Sequence, residues 1–219
     1  MMMVIGDILD VNTLANLAKT LPRMRYEDGR ATAGLDAAWV KRNEQARGSV
    51  TLELLRDQLQ AAVLANNVFA AVVRPKALTQ LLISKTSSGG QYGSHVDSPI
   101  IGGLRTDVAF TVFLTPPEAY DGGELIIETA GGEEGFKLAA GTAVVYPATT
   151  LHRVAQVTRG DRYVAVGWAQ SFIRDAGQRE LLFDLETAKH IIFSRSGKTA
   201  DYDLIAKSAA NLVRMWADV

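Results

Sequence analysis

The chain has 219 residues and 47% hydrophobic content, enough for one domain with a real core. A net charge of -1 with no long basic run excludes a nucleic-acid footprint, and the absence of cysteine excludes disulfides and a thiolate metal site. Residues 1–7 lack the basic segment and long apolar stretch of a secretory signal, and no run of about 18 apolar residues offers a membrane span, so a soluble cytoplasmic protein is expected.

Val11, Leu14, Ala15, Ala18 and Leu21 recur at helical spacing behind Asp10, a candidate N-cap. Residues 23–47 are polar and contain Gly29, Gly34 and a charged cluster at Lys41-Arg42-Asn43-Glu44; they read either as a solvated face or as a loop closing over a site. Ser49 or Thr51 then caps a second helix carrying Leu52, Leu55, Leu59 and Val63. From Ala77 the apolar period changes to two. Strands are predicted at 78–85, 91–97, 107–114, 124–128, 133–138, 143–146, 152–157 and 163–172, separated by glycine-rich turn signals such as Ser87-Ser88-Gly89-Gly90 and Asp121-Gly122-Gly123. Short strands without helical crossovers predict a double-sheet jelly roll rather than a parallel sheet. After Asp175 the helical period returns in two stripes: Leu181, Leu182, Leu185, Ala188 and Ile192, then Leu204, Ile205, Ala209, Leu212, Val213 and Trp216. The expected fold is mainly β with flanking helices (α+β). A helical support region occupies 1–76, a jelly roll (double-stranded β-helix) 77–174 and a helical extension 175–219.

The chemistry centres on Gln91-Tyr92-Gly93-Ser94-His95-Val96-Asp97. On a strand, side chains two apart share a face, so His95 and Asp97 would aim a nitrogen and a carboxylate oxygen at one point. His-x-Asp alone is a weak signal. His152, which follows an apolar run and opens a later strand, supplies a third donor, and two His plus one carboxylate with open positions suit non-haem Fe(II). Arg162, early in the apolar strand that runs through Trp168, needs an anionic partner if buried, and a bound dicarboxylate would provide one. Val164, Val166 and Trp168 share its face; Trp168 either walls the pocket or packs the core. Tyr92 faces away from His95 on an ideal strand, and either a bulge brings it to the site or it packs in the core. Arg105 reads as a substrate contact or as a surface residue, and His190 as a helix-surface or packing residue.

These residues, with Gly29-Arg30-Ala31-Thr32-Ala33-Gly34, Tyr92-Gly93-Ser94-His95-Val96-Asp97 and Gly122-Gly123-Glu124-Leu125, resemble the Fe(II)/2-oxoglutarate-dependent dioxygenases, and among them the PKHD-type hydroxylases, relatives of the prolyl and lysyl hydroxylases. The likeness covers essentially the whole chain. It implies that His95, Asp97 and His152 bind Fe(2+), that Arg162 and Tyr92 bind 2-oxoglutarate, and that hydroxylation with O2 accompanies decarboxylation of 2-oxoglutarate to succinate. It also implies L-ascorbate as a reductant. Related halogenases carry Ala or Gly where Asp97 stands, so Asp97 argues for hydroxylation. Collagen-type prolyl hydroxylases usually carry Lys where Arg162 stands, so prolyl specificity is not simply carried over, and peptidyl proline or lysine, a free amino acid and a siderophore-like small molecule all stay open as substrates.

Two other readings use the same barrel. A cupin-like metal enzyme would supply a further His or a Glu and would not require Arg162; a non-catalytic metal-containing module would bind a partner without turnover. Stoichiometric consumption of 2-oxoglutarate separates them from a dioxygenase. The substrate is expected to be a small molecule or a peptidyl residue, and the helical tail, with Trp216 as an aromatic anchor, predicts a homodimer.

Overall fold

The computed structural model describes residues 1–32 and 34–219, and of residues 32 and 35–37 the backbone only; Ala33, within the 29–34 phrase, lies outside the described residues. Two antiparallel sheets face each other. The larger runs in the order Met3–Ile5, Ala143–Pro147, Val108–Phe113, Asp161–Ser171, Leu82–Ser87, Glu44–Ala46, Tyr26–Asp28, with Pro75–Leu78 also paired to Asp161–Ser171. The smaller runs Gly132–Phe136, Leu125–Thr129, His152–Val154, Gln91–His95, Lys41–Arg42. This is the double-sheet architecture expected from the strand pattern.

Period-two alternation divides the core in two. Along Val108–Phe113, Phe110 and Val112 belong to the cluster behind the larger sheet, while Ala109 and Phe113 belong to the cluster between the sheets. Along Asp161–Ser171, Ala165 and Ala169 face backward, and Val164 and Trp168 face the inter-sheet space. The backward face is covered by helices α1 (Val11–Thr20), α3 (Val50–Ala65) and α4 (Asn67–Val73), α2 being the short Leu35–Val40 helix. Leu17, Leu52, Leu59 and Phe69 are buried there, with the Phe69 and Phe110 rings edge to face at 5.1 Å. Each covering helix starts on a side-chain cap: Asp10 accepts from Thr13 N–H, Ser49 from Leu52 N–H and Asn66 from the N–H groups of Val68 and Phe69.

The structure corrects several boundaries. Gln91–His95 ends at His95, so Asp97 lies beyond the strand. The stretch 152–157 is two strands, His152–Val154 and Val157–Arg159, because the chain leaves the smaller sheet to pair with Asp121–Gly122. Residues 23–47 are not one loop: Tyr26–Asp28 and Glu44–Ala46 join the larger sheet, and Lys41–Arg42 joins the smaller, the chain crossing between sheets at Asn43. The tail forms a hairpin of α5 (Ala176–Ser196) and α6 (Ala200–Trp216). It is closed where Asp218 N–H donates to the Phe172 carbonyl at 2.8 Å and where Phe193 meets Tyr202 at 5.6 Å. Leu182 and Ala209 are buried, but Leu181 and Leu204 are 53% and 57% exposed, because only one side of each helix is covered within the chain. Among the described residues no helix is long and apolar enough to cross a membrane.

Gly167 sits on the backward face of the central strand. A Cβ there would lie 2.5 Å from both Leu81 Cδ2 and Phe110 Cζ. Gly167→Val is expected to destabilise the fold by about 1–3 kcal/mol through overpacking, read as a lower urea midpoint at unchanged slope.

Candidate metal centre and its pocket

The smaller sheet sets His152 directly opposite His95 in antiparallel register. Their rings lie 4.3 Å apart, with Tyr92 stacked on His95 at 3.7 Å and 18° and Tyr146 edge-on to His152 at 5.1 Å. Each imidazole is oriented by its own strand: Nδ1 of His95 contacts the Gly93 carbonyl, and Nδ1 of His152 the Thr150 carbonyl, both at 2.9 Å. A carbonyl only accepts, so Nδ1 carries the proton and Nε2 presents a lone pair. Both Nε2 atoms face Asp97 Oδ1, at 4.0 Å from His95 and 3.7 Å from His152. His95, Asp97 and His152 thus offer three donor atoms within 4.8 Å of one another.

The electrostatics fit a cation at that point. Burial first, then the neighbouring His152, push His95 down to about 4, so it is neutral at physiological pH. Burial pushes the Asp97 carboxyl up, opposed by His152, then Trp168, then Lys41. Asp97 Oδ2 is buried without a hydrogen-bond partner. Nitrogen lone pairs and carboxylate oxygens gathered at one point repel one another; a divalent cation reverses the sign of that interaction.

Asp97 reaches the cluster from a loop, not from strand alternation. Thr106 pins that loop by donating its Oγ1–H to the Ser98 carbonyl at 2.7 Å and its N–H to the Pro99 carbonyl at 3.0 Å. Tyr92 also departs from the ideal strand. Between the pairs His152↔His95 and Val154↔Tyr92 one strand advances two residues and the other three, so an extra residue turns Tyr92 to the His95 side.

The cluster opens into a pocket of about 810 Å³ of unfilled space, its solvent mouth included, whose walls include Tyr92, Tyr146, Arg162, Val164, Val166 and Trp168. Arg162 is 2% exposed, its guanidinium 5.5 Å from the Phe113 ring centre. Its Nε has no hydrogen-bond partner, and no ion pair involves it among the described residues. Burial pushes its pKa down, with Tyr120 the strongest opposing neighbour. Gly123 (φ +70°) makes room for it: a Cβ there would lie 3.0 Å from Arg162 Cδ. A buried guanidinium with unused donors in a pocket that also holds a cation-binding cluster is suited to a dianion that spans the two.

Arg105 and His190 are elsewhere. Arg105 forms a two-point ion pair with Asp107 at 2.7 and 3.0 Å and a third contact with Asp218 at 3.0 Å, tying down the C-terminal segment; His190 is exposed on α5. The sequence reading missed Tyr146, Lys41, Asn43 and Gln45 as pocket walls. Lys41, Asn43 and Gln45 alternate with period two, a signal that went unused because the strands are too short and polar to stand out. Burial pushes Lys41 down to about 8 against the pull of Asp97.

Residues 80–170 match the family model described as the 2OG-Fe(II) oxygenase superfamily. A PKHD-type hydroxylase of Picosynechococcus sp. is 46% identical over 215 residues, covering 98% of each chain. One of Acaryochloris marina is 46% identical over 219 residues and covers both chains fully, and one of Maricaulis maris is 45% identical over 88% of each. Among solved structures, a Pseudomonas putida prolyl-4-hydroxylase superposes with a TM-score of 0.56 at 19% identity, covering 78% of this chain and 92% of that one. A viral collagen prolyl hydroxylase from Paramecium Bursaria Chlorella virus-1 gives 0.53 at 16%, covering 78% and 95%. At these identities the structural likeness concerns the fold alone.

The depressed His95 has a measurable consequence. The unfolded chain takes up a proton near the ordinary imidazole value of 6.5, the folded chain only near 4. Stability contributed by neutral His95 is therefore complete above about pH 6.5 and is lost as pH falls toward 4, by up to about 3 kcal/mol. The raised Asp97 acts with the opposite sign. Urea unfolding of metal-free protein at pH 7 and pH 4.5 should show a larger acid loss in wild type than in His95→Gln; equal losses would refute the neutral His95.

Proposed function

We propose, from the premise that this chain belongs to the 2OG-Fe(II) oxygenase superfamily and within it to the PKHD-type hydroxylases, that His95, Asp97 and His152 hold the iron and Arg162 holds the far carboxylate of 2-oxoglutarate. The activity is Fe(II)- and 2-oxoglutarate-dependent hydroxylation of a substrate. When bound, the ferrous ion and 2-oxoglutarate supply the oxidising chemistry, O2 being reduced as 2-oxoglutarate is decarboxylated to succinate and a substrate C–H becomes C–OH. The observation that carries the residue assignment is the convergence of three donor atoms within 4.8 Å in a pocket that Arg162 also lines.

The chain's own groups then divide the work. His95 and His152 present Nε2 lone pairs fixed by their Nδ1–carbonyl contacts, and Asp97 brings the one negative charge. Arg162 offers a planar two-point fork, which a lysine would replace only by a point charge. Tyr92 is a second contact to 2-oxoglutarate: burial pushes its phenol well above the ordinary value, so it stays protonated and donates. The pocket walls Val164, Val166 and Trp168 keep water from the reacting atoms. L-ascorbate fits as the reductant that keeps the iron ferrous. The substrate is a small molecule or a peptidyl residue, in the cytoplasm; the prolyl substrates named for the structural neighbours belong to those proteins.

A homodimer is the proposed assembly. Leu181, Phe193, Leu204 and Met215 on α5 and α6 are each more than half exposed, an apolar surface that a second copy would cover. Sedimentation of wild type and of Leu204→Glu should show a dimer that weakens in the variant; a monomeric wild type at micromolar concentration would refute it.

The site is tested with Mn(II), a dioxygen-inert stand-in. Alanine at His95, Asp97 or His152 should remove Mn(II) binding and 2-oxoglutarate consumption while circular dichroism stays unchanged. Arg162→Ala should retain Mn(II) but weaken 2-oxoglutarate by roughly 30-fold or more, as expected for loss of a buried charged contact. Undiminished Mn(II) affinity in all three ligand variants would sink the assignment.

A further inference from the structure

Among the buried polar atoms of this pocket that make no hydrogen bond, two are complementary, one an acceptor beside the metal cluster and one a donor. Asp97 directs Oδ1 at both imidazole Nε2 atoms, while its Oδ2 is buried and makes no hydrogen bond. On the opposite sheet the indole Nε1 of Trp168 is likewise buried and makes none. Both residues line the same pocket. A buried acceptor and a buried donor left unpaired in one pocket are unusual, because each has given up water and gained nothing.

We propose that Trp168 is a positioning residue for the metal centre: its indole N–H is the donor to Asp97 Oδ2, closing that hydrogen bond when Asp97 Oδ1 binds the metal. The inference rests on the reading of Asp97 as a ligand. An indole nitrogen donates and never accepts, and a carboxylate oxygen accepts, so the pairing has one polarity.

The indole is well held for this task. Trp168 lies on the even-numbered face of Asp161–Ser171, the face that also carries Arg162. Its backbone is clamped at both polar atoms by Thr79: the Trp168 N–H donates to Thr79 Oγ1 at 3.1 Å, and its carbonyl accepts from Thr79 N–H at 2.9 Å. Only 8% of its surface is exposed. Asp97, by contrast, sits on a loop, so the carboxylate is the partner that needs orienting.

The consequence is for coordination. A carboxylate binds a metal through one oxygen or two. An N–H fixed on Oδ2 leaves only Oδ1 for the metal, which keeps Asp97 monodentate and preserves open positions for 2-oxoglutarate and O2. The indole would thereby act on the metal through Asp97, in the way that outer partners of metal ligands set orientation and basicity.

Two readouts test this. Trp168→Phe keeps an aromatic ring and removes the donor; calorimetric titration should show Mn(II) affinity weaker on the order of tenfold. At saturating Mn(II), 2-oxoglutarate affinity should fall as well, because an Asp97 free to bind through both oxygens takes a position that 2-oxoglutarate needs. The second readout needs no variant at Trp168. In 15N-labelled wild type the chain's 3 indole N–H signals are resolvable, assigned through Trp39→Phe and Trp216→Phe. Adding Zn(II) as a diamagnetic stand-in should move the Trp168 indole proton downfield and slow its exchange with water. A residue that merely packs would show neither change. Mn(II) affinity within twofold of wild type in Trp168→Phe, or a Trp168 indole signal insensitive to Zn(II), overturns the proposal. Asp97→Ala, titrated in parallel, separates the premises: if it also binds Mn(II) like wild type, the ligand assignment itself has failed.

Discussion

Three electron-pair donors forced together inside a protein form the constraint on which the rest of this structure depends. Nε2 of His95, Nε2 of His152 and Oδ1 of Asp97 face one another at 3.7 to 4.0 Å where they meet the carboxylate. Left to themselves such groups would rotate apart or take up a proton. Their geometry persists because it is fixed from behind. Opposed strands hold the two histidines in register, backbone carbonyls hold both rings, and aromatic side chains pack against them. The binding free energy of a cation is therefore spent little on reorganisation, which is the physical meaning of a preorganised site.

The second constraint is the 11-residue strand Asp161–Ser171. Its odd-numbered residues carry the helical layer behind the sheet, and its even-numbered residues furnish the pocket. Arg162 and Trp168 are thus placed three pleats apart, roughly 20 Å between their α-carbons at the usual rise per residue, with the metal cluster facing them from the other sheet. Ala165 and Ala169 pack in the apolar layer behind the sheet, and Gly167 there meets Leu81 and Phe110, so that layer and the chemistry in front of it are two faces of one element.

Much of this was legible in the sequence where local signals were strong. Alternation identified the long strands of the jelly roll and put Arg162, Val164, Val166 and Trp168 on one face. Residue types and spacing, with the family resemblance, singled out His95, Asp97, His152 and Arg162, which line one pocket. The failures have local causes. Asp97 was assigned its direction by strand alternation, yet the strand stops at His95 and a loop pinned by Thr106 delivers the carboxylate. For Tyr92, periodicity left a bulge and core packing as alternatives, and a single extra residue turns it to the His95 side. Lys41–Arg42 and Glu44–Ala46 are too short to show a period, and they owe their conformation to the strands beside them, Gln91–His95 and Leu82–Ser87.

These failures share a location. Val108–Phe113 and Asp161–Ser171 read as apolar runs because both of their faces are buried, and the second of them carries Arg162 and Trp168. Lys41–Arg42 and Glu44–Ala46 are short and polar, and Lys41, Asn43 and Gln45 come from the segment that crosses from one sheet to the other beside the pocket. Gly93 permits that crossing: a Cβ there would lie 2.7 Å from Val40 Cβ, so the end of α2 packs directly on the strand that carries His95. The pocket consequently has one wall set by the packing of the core and another set by a segment with little core of its own. A wall of the second kind tolerates change in sequence without loss of fold, whereas a change to the first disturbs the metal site and the sheet together.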